Sequence, residues 1–169
     1  MIIVVFGLPG SGKSYFAARL AEEIDADYVN SDRLRKEMFP VRTYSEQEKA
    51  AVYNVMLAKM KRAVKQNKNV VLDATFHNNE TREPFTQAGK KKDRICFIEI
   101  TADENVIRQR LKKEREYSEA DFEVYKLIRR QWEPLNESHL MLESTDENID
   151  SMLQEAAAHL EKKDDTRTN

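Results

Sequence analysis

The stretch Gly7-Leu8-Pro9-Gly10-Ser11-Gly12-Lys13-Ser14 constrains this chain more than any other, because it dictates the backbone on both sides of it. It fits G-x-x-x-x-G-K-[ST], the phosphate-binding P-loop, which carries meaning only between a strand and a helix. Ile2-Ile3-Val4-Val5-Phe6 is a short apolar run that reads as a buried strand, and Tyr15 to Ala21 has helical spacing. Glycines let such a turn close tightly and approach a ligand. Its amides converge at a helix N-terminus, whose dipole favours anions. The expected nucleotide contacts are Gly7, Pro9, Gly10, Ser11, Gly12, Lys13, Ser14 and Tyr15. Lys13 brings a charge for the outer phosphates, and the Ser14 hydroxyl suits the Mg²⁺ that accompanies them. A dinucleotide-binding fingerprint fails, since Tyr15 stands where G-x-G-x-x-G needs its third glycine.

Downstream, strand and helix signals alternate. The pattern predicts strands at 27–30, 70–73, 95–100 and 140–142. Ser31 is read as the cap of a helix over 32–38 that Pro40 ends. Ser45-Glu46-Gln47-Glu48 is a capping box, and behind it Val52, Val55, Met56, Met60 and Ala63 share a helical face. A helix near 79–88 is expected to stop at Gly89, and Thr101-Ala102-Asp103-Glu104 reads as a second capping box. Phe122, Tyr125, Arg129 and Trp132 mark a helix closed by Pro134, with Trp132 in the core, and Ile149 to Leu160 form the last one. The alternation predicts an α/β fold: a parallel sheet with helices on both faces. Ligands of such sheets sit at the carboxyl ends of the strands, where Gly7–Ser14, Ser31-Asp32, Asp73-Ala74-Thr75 and Thr101 fall. The charge-dense segment 112–121 reads as a mobile lid, Lys90-Lys91-Lys92 as a solvated turn, and the polar residues from Lys162 as frayed. The domain is expected to span 1–163, followed by a disordered tail over 164–169.

Bulk properties narrow the partners. A chain of 169 residues buries enough surface to need no staple. A net charge of −2 and a pI near 6.0 give no global attraction to nucleic acid. Cys96 is the only cysteine and lies in an apolar strand, so a core thiol in a reducing compartment is expected. The short apolar start lacks a basic flank, and no stretch approaches a membrane span, so a cytoplasmic protein is expected.

Phosphoryl transfer needs a phosphate cradle, a metal holder, a hydroxyl activator and charge neutralisation. Asp73, ending an apolar strand, fits the metal holder together with Ser14. Asp32 and Arg35 share a helix face: Asp32 suits proton acceptance and Arg35 the holding of an acceptor, although a surface ion pair accounts for the same spacing. Arg108, Arg110 and Arg115 are the candidates for closing onto the phosphates, Arg110 beside the nucleotide and Arg115 at the reacting group, with a solvated face as the alternative for any one of them. His77, Asn78, Asn79 and Arg82 fall where a substrate loop would lie, and His77 lacks partners at zinc spacing. Arg33, Arg35, Lys36 and Arg42 could line a channel for a nucleic-acid end or hold a phosphorylated metabolite. The slight acidity tilts towards a small molecule, and an ATP-binding switch without a small acceptor is the competing reading.

Gly7 to Ser14, Asn30-Ser31-Asp32 with Arg35, Val71-Leu72-Asp73-Ala74-Thr75 and Arg110-Leu111 together resemble small P-loop kinases of the AAA type, related to polynucleotide 5′-hydroxyl kinase and zeta-toxin-like kinases. The resemblance spans roughly residues 1 to 145. It implies strand order 2-3-1-4-5, Mg²⁺ and ATP as donor, Asp32 as general base, Arg35 on the acceptor and arginines on a lid. The chain departs from the family at two places. Phe76 stands where an Asn often follows Asp-Ala-Thr, and Arg110 and Arg115 are five apart, with Glu114 at the usual four-residue spacing.

Overall fold

Five consecutive apolar side chains are satisfied only in a strand covered on both faces. Ile2–Phe6 (β1) is that strand, at the centre of the sheet. The computed structural model describes residues 1–90 and 95–165. After β1 come α1 (Lys13–Glu23), β2 (Ala26–Asn30), α2 (Ser31–Met38), α3 (Glu46–Lys65), β3 (Asn69–Asp73), α4 (Asn79–Lys90), β4 (Ile95–Thr101), α5 (Glu104–Leu111), α6 (Phe122–Arg130), β5 (Leu140–Glu143) and α7 (Ile149–Asp165). The strands run parallel in the order β2-β3-β1-β4-β5, as the resemblance implies. Val4 lies beside Leu72 on one side and Phe97 on the other.

The two-residue period of β1 divides the interior into two cores. Ile2, Val4 and Phe6 pack with Val52, Met56 and Met60 of α3 and Phe85 of α4. Ile3 and Val5 pack with Phe16 and Leu20 of α1 and with Met152 and Ala156 of α7. Each of these buried side chains larger than alanine stabilises the fold by about 1.5–3 kcal/mol. Cys96 lies within the second core. Trp132 stacks on Phe6 at 6.0 Å between ring centres, and the buried Arg82 guanidinium lies over both rings.

Several boundaries differ from the sequence expectation. Asn30, not Ser31, caps α2, its side chain accepting from the Arg33 amide. Ser45 caps α3 as expected, but Glu48 turns to the Thr43 amide and hydroxyl rather than back to Ser45. Thr101 is the last residue of β4, and Asp103 caps α5. Gly89 lies inside α4 rather than ending it: a Cβ there would come within 2.7 Å of Ile95 Cβ, so the missing side chain serves helix-on-strand packing. α6 ends at Arg130, four residues before Pro134, and α7 runs on past Lys162. Segment 112–121 joins α5 to α6 without helix or strand. Of the tail predicted over 164–169, residues 164 and 165 still belong to α7, and 166–169, like Lys91 and Lys92, lie outside the described residues.

Candidate active site

α1 starts without a side-chain cap, whereas α2, α3, α5 and α6 each have one. Its N-cap is Gly12 at φ +92°, a backbone that side chains resist, and a Cβ there would approach Ser144 Oγ to 2.7 Å. Gly7 is tighter still, at φ +155° with a virtual Cβ 2.3 Å from the Ile100 carbonyl oxygen. The loop therefore lies hard against β4 and leaves the α1 amides uncapped. A cleft of about 490 Å³ opens over Gly10, Gly12, Lys13, Ser14 and Tyr15. Its other walls are Arg110 with 113–115, and Ser144–Asp146 after β5. Gly7 and Ser11 sit behind this cradle, and Pro9 faces a second cleft.

Asp73 ends β3 alongside Val5 and Asn30, wholly buried. Its Oδ2 accepts from the Tyr28 hydroxyl at 2.7 Å and from Asn30 Nδ2 at 2.5 Å. Burial and the adjoining carboxylate push the Tyr28 phenol up, so it stays a donor. Asn30 Nδ2 is also 3.4 Å from Ser14 Oγ, which joins the two expected metal residues through one amide. Asp73 Oδ1 has no hydrogen-bond partner among the described residues. A buried acceptor left in that state costs about 1–3 kcal/mol, which a ligand would recover. No group of three or more His, Cys, Asp or Glu suited to a metal occurs among the described residues. A divalent ion here would rest on Ser14, Asp73, water and the nucleotide's phosphates, and hard oxygen donors of that kind suit Mg²⁺.

The second cleft, of about 540 Å³, has Asp32, Arg35, Thr75 and His77 on its polar side. Among the described residues, Lys13 is the one that lines both clefts. Asp32 keeps 29% of its side chain exposed and pairs with Arg35 at 3.2 Å. Burial raises its pKa, with Asp73 adding to the rise, against the pull of Lys13, Arg35 and Arg115. Arg35 is held from behind by the buried Glu48, its Nε 3.0 Å from Oε1, and lies under the Tyr44 ring. Burial pushes the Glu48 carboxyl up, but hydrogen bonds from Thr43 and Tyr44 and the Arg35 charge outweigh it, leaving it below the ordinary range.

The arginines separate. Arg110 reaches the Gly10 and Ser11 carbonyls at 3.4 and 3.2 Å and pairs with Asp146 at 3.1 Å, bracing the outside of the loop. Arg115 lines the first cleft, donates to the Ala120 carbonyl and feels the charge of Asp32. Burial lowers its pKa, and Asp32 opposes that. Glu114 shares the same wall. Arg108 faces away, paired with Glu104 and stacked on Phe122. His77 reaches the second cleft, where burial lowers its pKa. Asn78 caps the start of α4, and Arg82 bonds the Phe76 and Glu133 carbonyls, so neither faces the cleft. Phe76, at φ +45°, packs against Tyr53 and Phe85 instead of supplying a polar contact. Sequence reasoning missed Tyr28, Tyr44 and Glu48 as site residues. Only the last had a visible signal, and it was absorbed into the capping box.

The AAA domain family matches residues 2–135, well over half of the chain. Among solved structures, a sugar kinase from Janibacter sp. HTCC2649 superposes with a TM-score of 0.72 at 15% identity, covering 95% of this chain and 94% of that one. The APS kinase of Mycobacterium tuberculosis, solved with AMPPNP and APS, gives 0.70 at 17% identity over 95% and 96% of the two chains. Kti12 of Chaetomium thermophilum, solved with ADP-AlF3, gives 0.70 at 19% identity over 94% and 98%. The strand order, the glycine loop on the central strand and the match over residues 2–135 lead to one assignment: this chain belongs to the AAA domain family and has the fold of the P-loop kinases.

Proposed function

We propose that the protein is an ATP-dependent kinase that transfers the γ-phosphoryl group to a hydroxyl acceptor. The observation that carries this is the meeting of two clefts at Lys13, one over the glycine loop and one over Asp32 and Arg35. A donor in the first and an acceptor in the second would face each other across the lysine. Of the three structurally similar proteins, two are kinases and two, Kti12 and APS kinase, were solved with a nucleotide bound, which points the same way.

In this reading the uncapped α1 amides and Lys13 bind the triphosphate. Mg²⁺, when bound, would neutralise charge on the outer phosphates. Asp32 accepts the proton of the attacking hydroxyl, and its raised pKa makes it a better base than an exposed aspartate. Arg35, fixed by Glu48, orients the acceptor. Arg115 adds positive charge at the junction, with Arg110 steadying the loop. Segment 112–121 acts as the lid that carries Arg115.

An ATP-binding switch without an acceptor has less in its favour, because it gives the second cleft nothing to do. The test is ADP release from Mg-ATP in the presence of nucleosides, sugars, oligonucleotides or phosphorylated metabolites. A kinase should be stimulated by one class and show that class phosphorylated by mass spectrometry. Slow hydrolysis indifferent to every acceptor, with ATP-dependent capture of a protein partner, would favour the switch.

A further inference from the structure

Most of the basic side chains at the second cleft already have partners within the protein. Arg35 is paired with Asp32 and Glu48, and Lys49 with Glu46 at 3.1 Å. Arg42, at the rim, is paired with Glu119. Lys36 donates to the Glu116 carbonyl at 2.9 Å, and Arg33 lies over the rings of Tyr28 and Tyr117. Among the described residues lining the cleft, Lys13 alone among the cations lacks an acid within ion-pair distance, and it stands where the donor's phosphates would lie. The four basic residues that suggested a nucleic-acid channel are therefore engaged by the protein itself. Arg33 and Lys36 meet rings and a carbonyl rather than an acid, but they do not line the cleft. A phosphate-bearing acceptor inside it would have to break one of the ion pairs of Arg35 or Lys49 or be buried without a counter-charge, and both are costly.

The opposite wall is apolar. Val124, Leu127 and Ile128 fall at i, i+3 and i+4 on one face of α6 and line the cleft. Of the six exposed large hydrophobic residues among those described, Tyr44, Val124 and Leu127 lie here. Leu127 is 53% exposed, and its grouping with Tyr44 and Val124 in one cleft, rather than its exposure alone, marks a surface suited to an apolar ligand. Tyr53 faces the same space.

Resting on the phosphoryl-transfer reading, we infer that the acceptor is an uncharged hydroxyl compound with an apolar or aromatic face, such as a nucleoside or an aryl glycoside. Its hydroxyl end meets Asp32, its flat face lies on the α6 stripe and the tyrosines, and it carries no phosphate of its own. A cleft of about 540 Å³ suits a ligand of that size. The proton leaves the acceptor hydroxyl for Asp32, the new O–P bond forms at that oxygen, and the bond between the γ-phosphorus and its bridging oxygen breaks to release ADP.

The experiment offers the full-length protein ATP radiolabelled in the γ position, with Mg²⁺ and four probes: adenosine, a nitrophenyl glucoside, a hexose phosphate and an oligonucleotide with a free 5′ hydroxyl. The uncharged probes should be labelled with kcat/KM at least about tenfold above the charged ones, and their KM should hardly move with added salt. Leu127→Asp should raise the KM for the labelled probe about tenfold or more, with a much smaller effect on kcat. Faster labelling of the hexose phosphate or the oligonucleotide would overturn the inference while leaving phosphoryl transfer intact. An unchanged KM in Leu127→Asp would overturn it as well. No label in any probe, from protein that does bind Mg-ATP, would remove the transfer reading and this inference with it.

Discussion

Replacing Asp32 by Asn should move activity and stability in opposite directions. The substitution keeps shape and the contact with Arg35 but removes the proton acceptor. Loss of a positioned general base costs about 10²–10⁴-fold in kcat, which is about 3–5 kcal/mol of transition-state stabilisation. Stability behaves differently because burial raises the Asp32 pKa above its ordinary 3.8 despite Lys13, Arg35 and Arg115 nearby. A carboxyl held more firmly as the acid in the folded state stabilises the fold below its unfolded pKa. That contribution disappears as pH rises through the folded value. At neutral pH the ionised Asp32 is thus a net burden on the fold, and Asn removes it. The assay pairs single-turnover transfer with thermal melts at pH 7, and calorimetry of ATP binding as the control. The expected result is a collapse of kcat, ATP affinity nearly intact and a melting temperature equal to or above wild type. In the wild type, kcat should fall on the acid side along a limb displaced above 3.8. Full activity in Asp32→Asn would refute the base assignment, and a clear drop in melting temperature would refute the electrostatic reasoning.

The glycine loop gives an ordered pair: Gly7→Ala meets a backbone oxygen at 2.3 Å and should cost about 2–5 kcal/mol, from positive-φ strain plus overpacking. Gly12→Ala meets side-chain atoms of Ser144 and Arg110 first, which can give way more readily than a backbone oxygen, and should cost about 1–2 kcal/mol, so urea melts should rank the two in that order. Asp73→Asn should abolish the Mg²⁺-dependent part of ATP affinity, measured by titration with and without the ion, while the fold persists; unchanged Mg²⁺ dependence would count against the metal role. Glu48 has a lowered pKa, so its contribution is present above the ordinary 4.5 and is lost as pH falls through the folded value. Proteolysis of 39–45 should therefore quicken in acid, and Glu48→Gln should show that quickening already at pH 7.

Much of this was legible in the sequence because its causes are local. β1 has no polar residue to hide, and the glycine loop leaves few backbones open to it. Asp73 at the end of an apolar strand could be placed beside the loop once parallel pairing was assumed. Boundaries were less legible where two residues compete for one task. Asn30 and Ser31 are both good caps, and the pairing of Asn30 with Asp73 at the sheet edge decides between them. Gly89 looked like a stop because its true reason, contact with Ile95, lies across the fold. The same holds for Glu48: a capping-box glutamate is a local signal, and its engagement with Arg35 depends on how α3 meets α2. The apolar wall of the second cleft was hidden for a related reason: the helix face read from the sequence ran through Phe122, Tyr125, Arg129 and Trp132, whereas Val124, Leu127 and Ile128 form another row, whose exposure depends on how α6 meets the rest of the fold.

The most direct measurement is the structure of this protein with Mg²⁺ and AMPPNP. The account predicts the triphosphate along Gly10–Ser14, its terminal phosphorus beside Lys13 and pointing into the Asp32 cleft. The gap to the carboxylate should admit one hydroxyl oxygen, about 6 Å in all from a reacting distance plus a hydrogen bond. A terminal phosphate turned away from that cleft, or separated from Asp32 by protein, would contradict it.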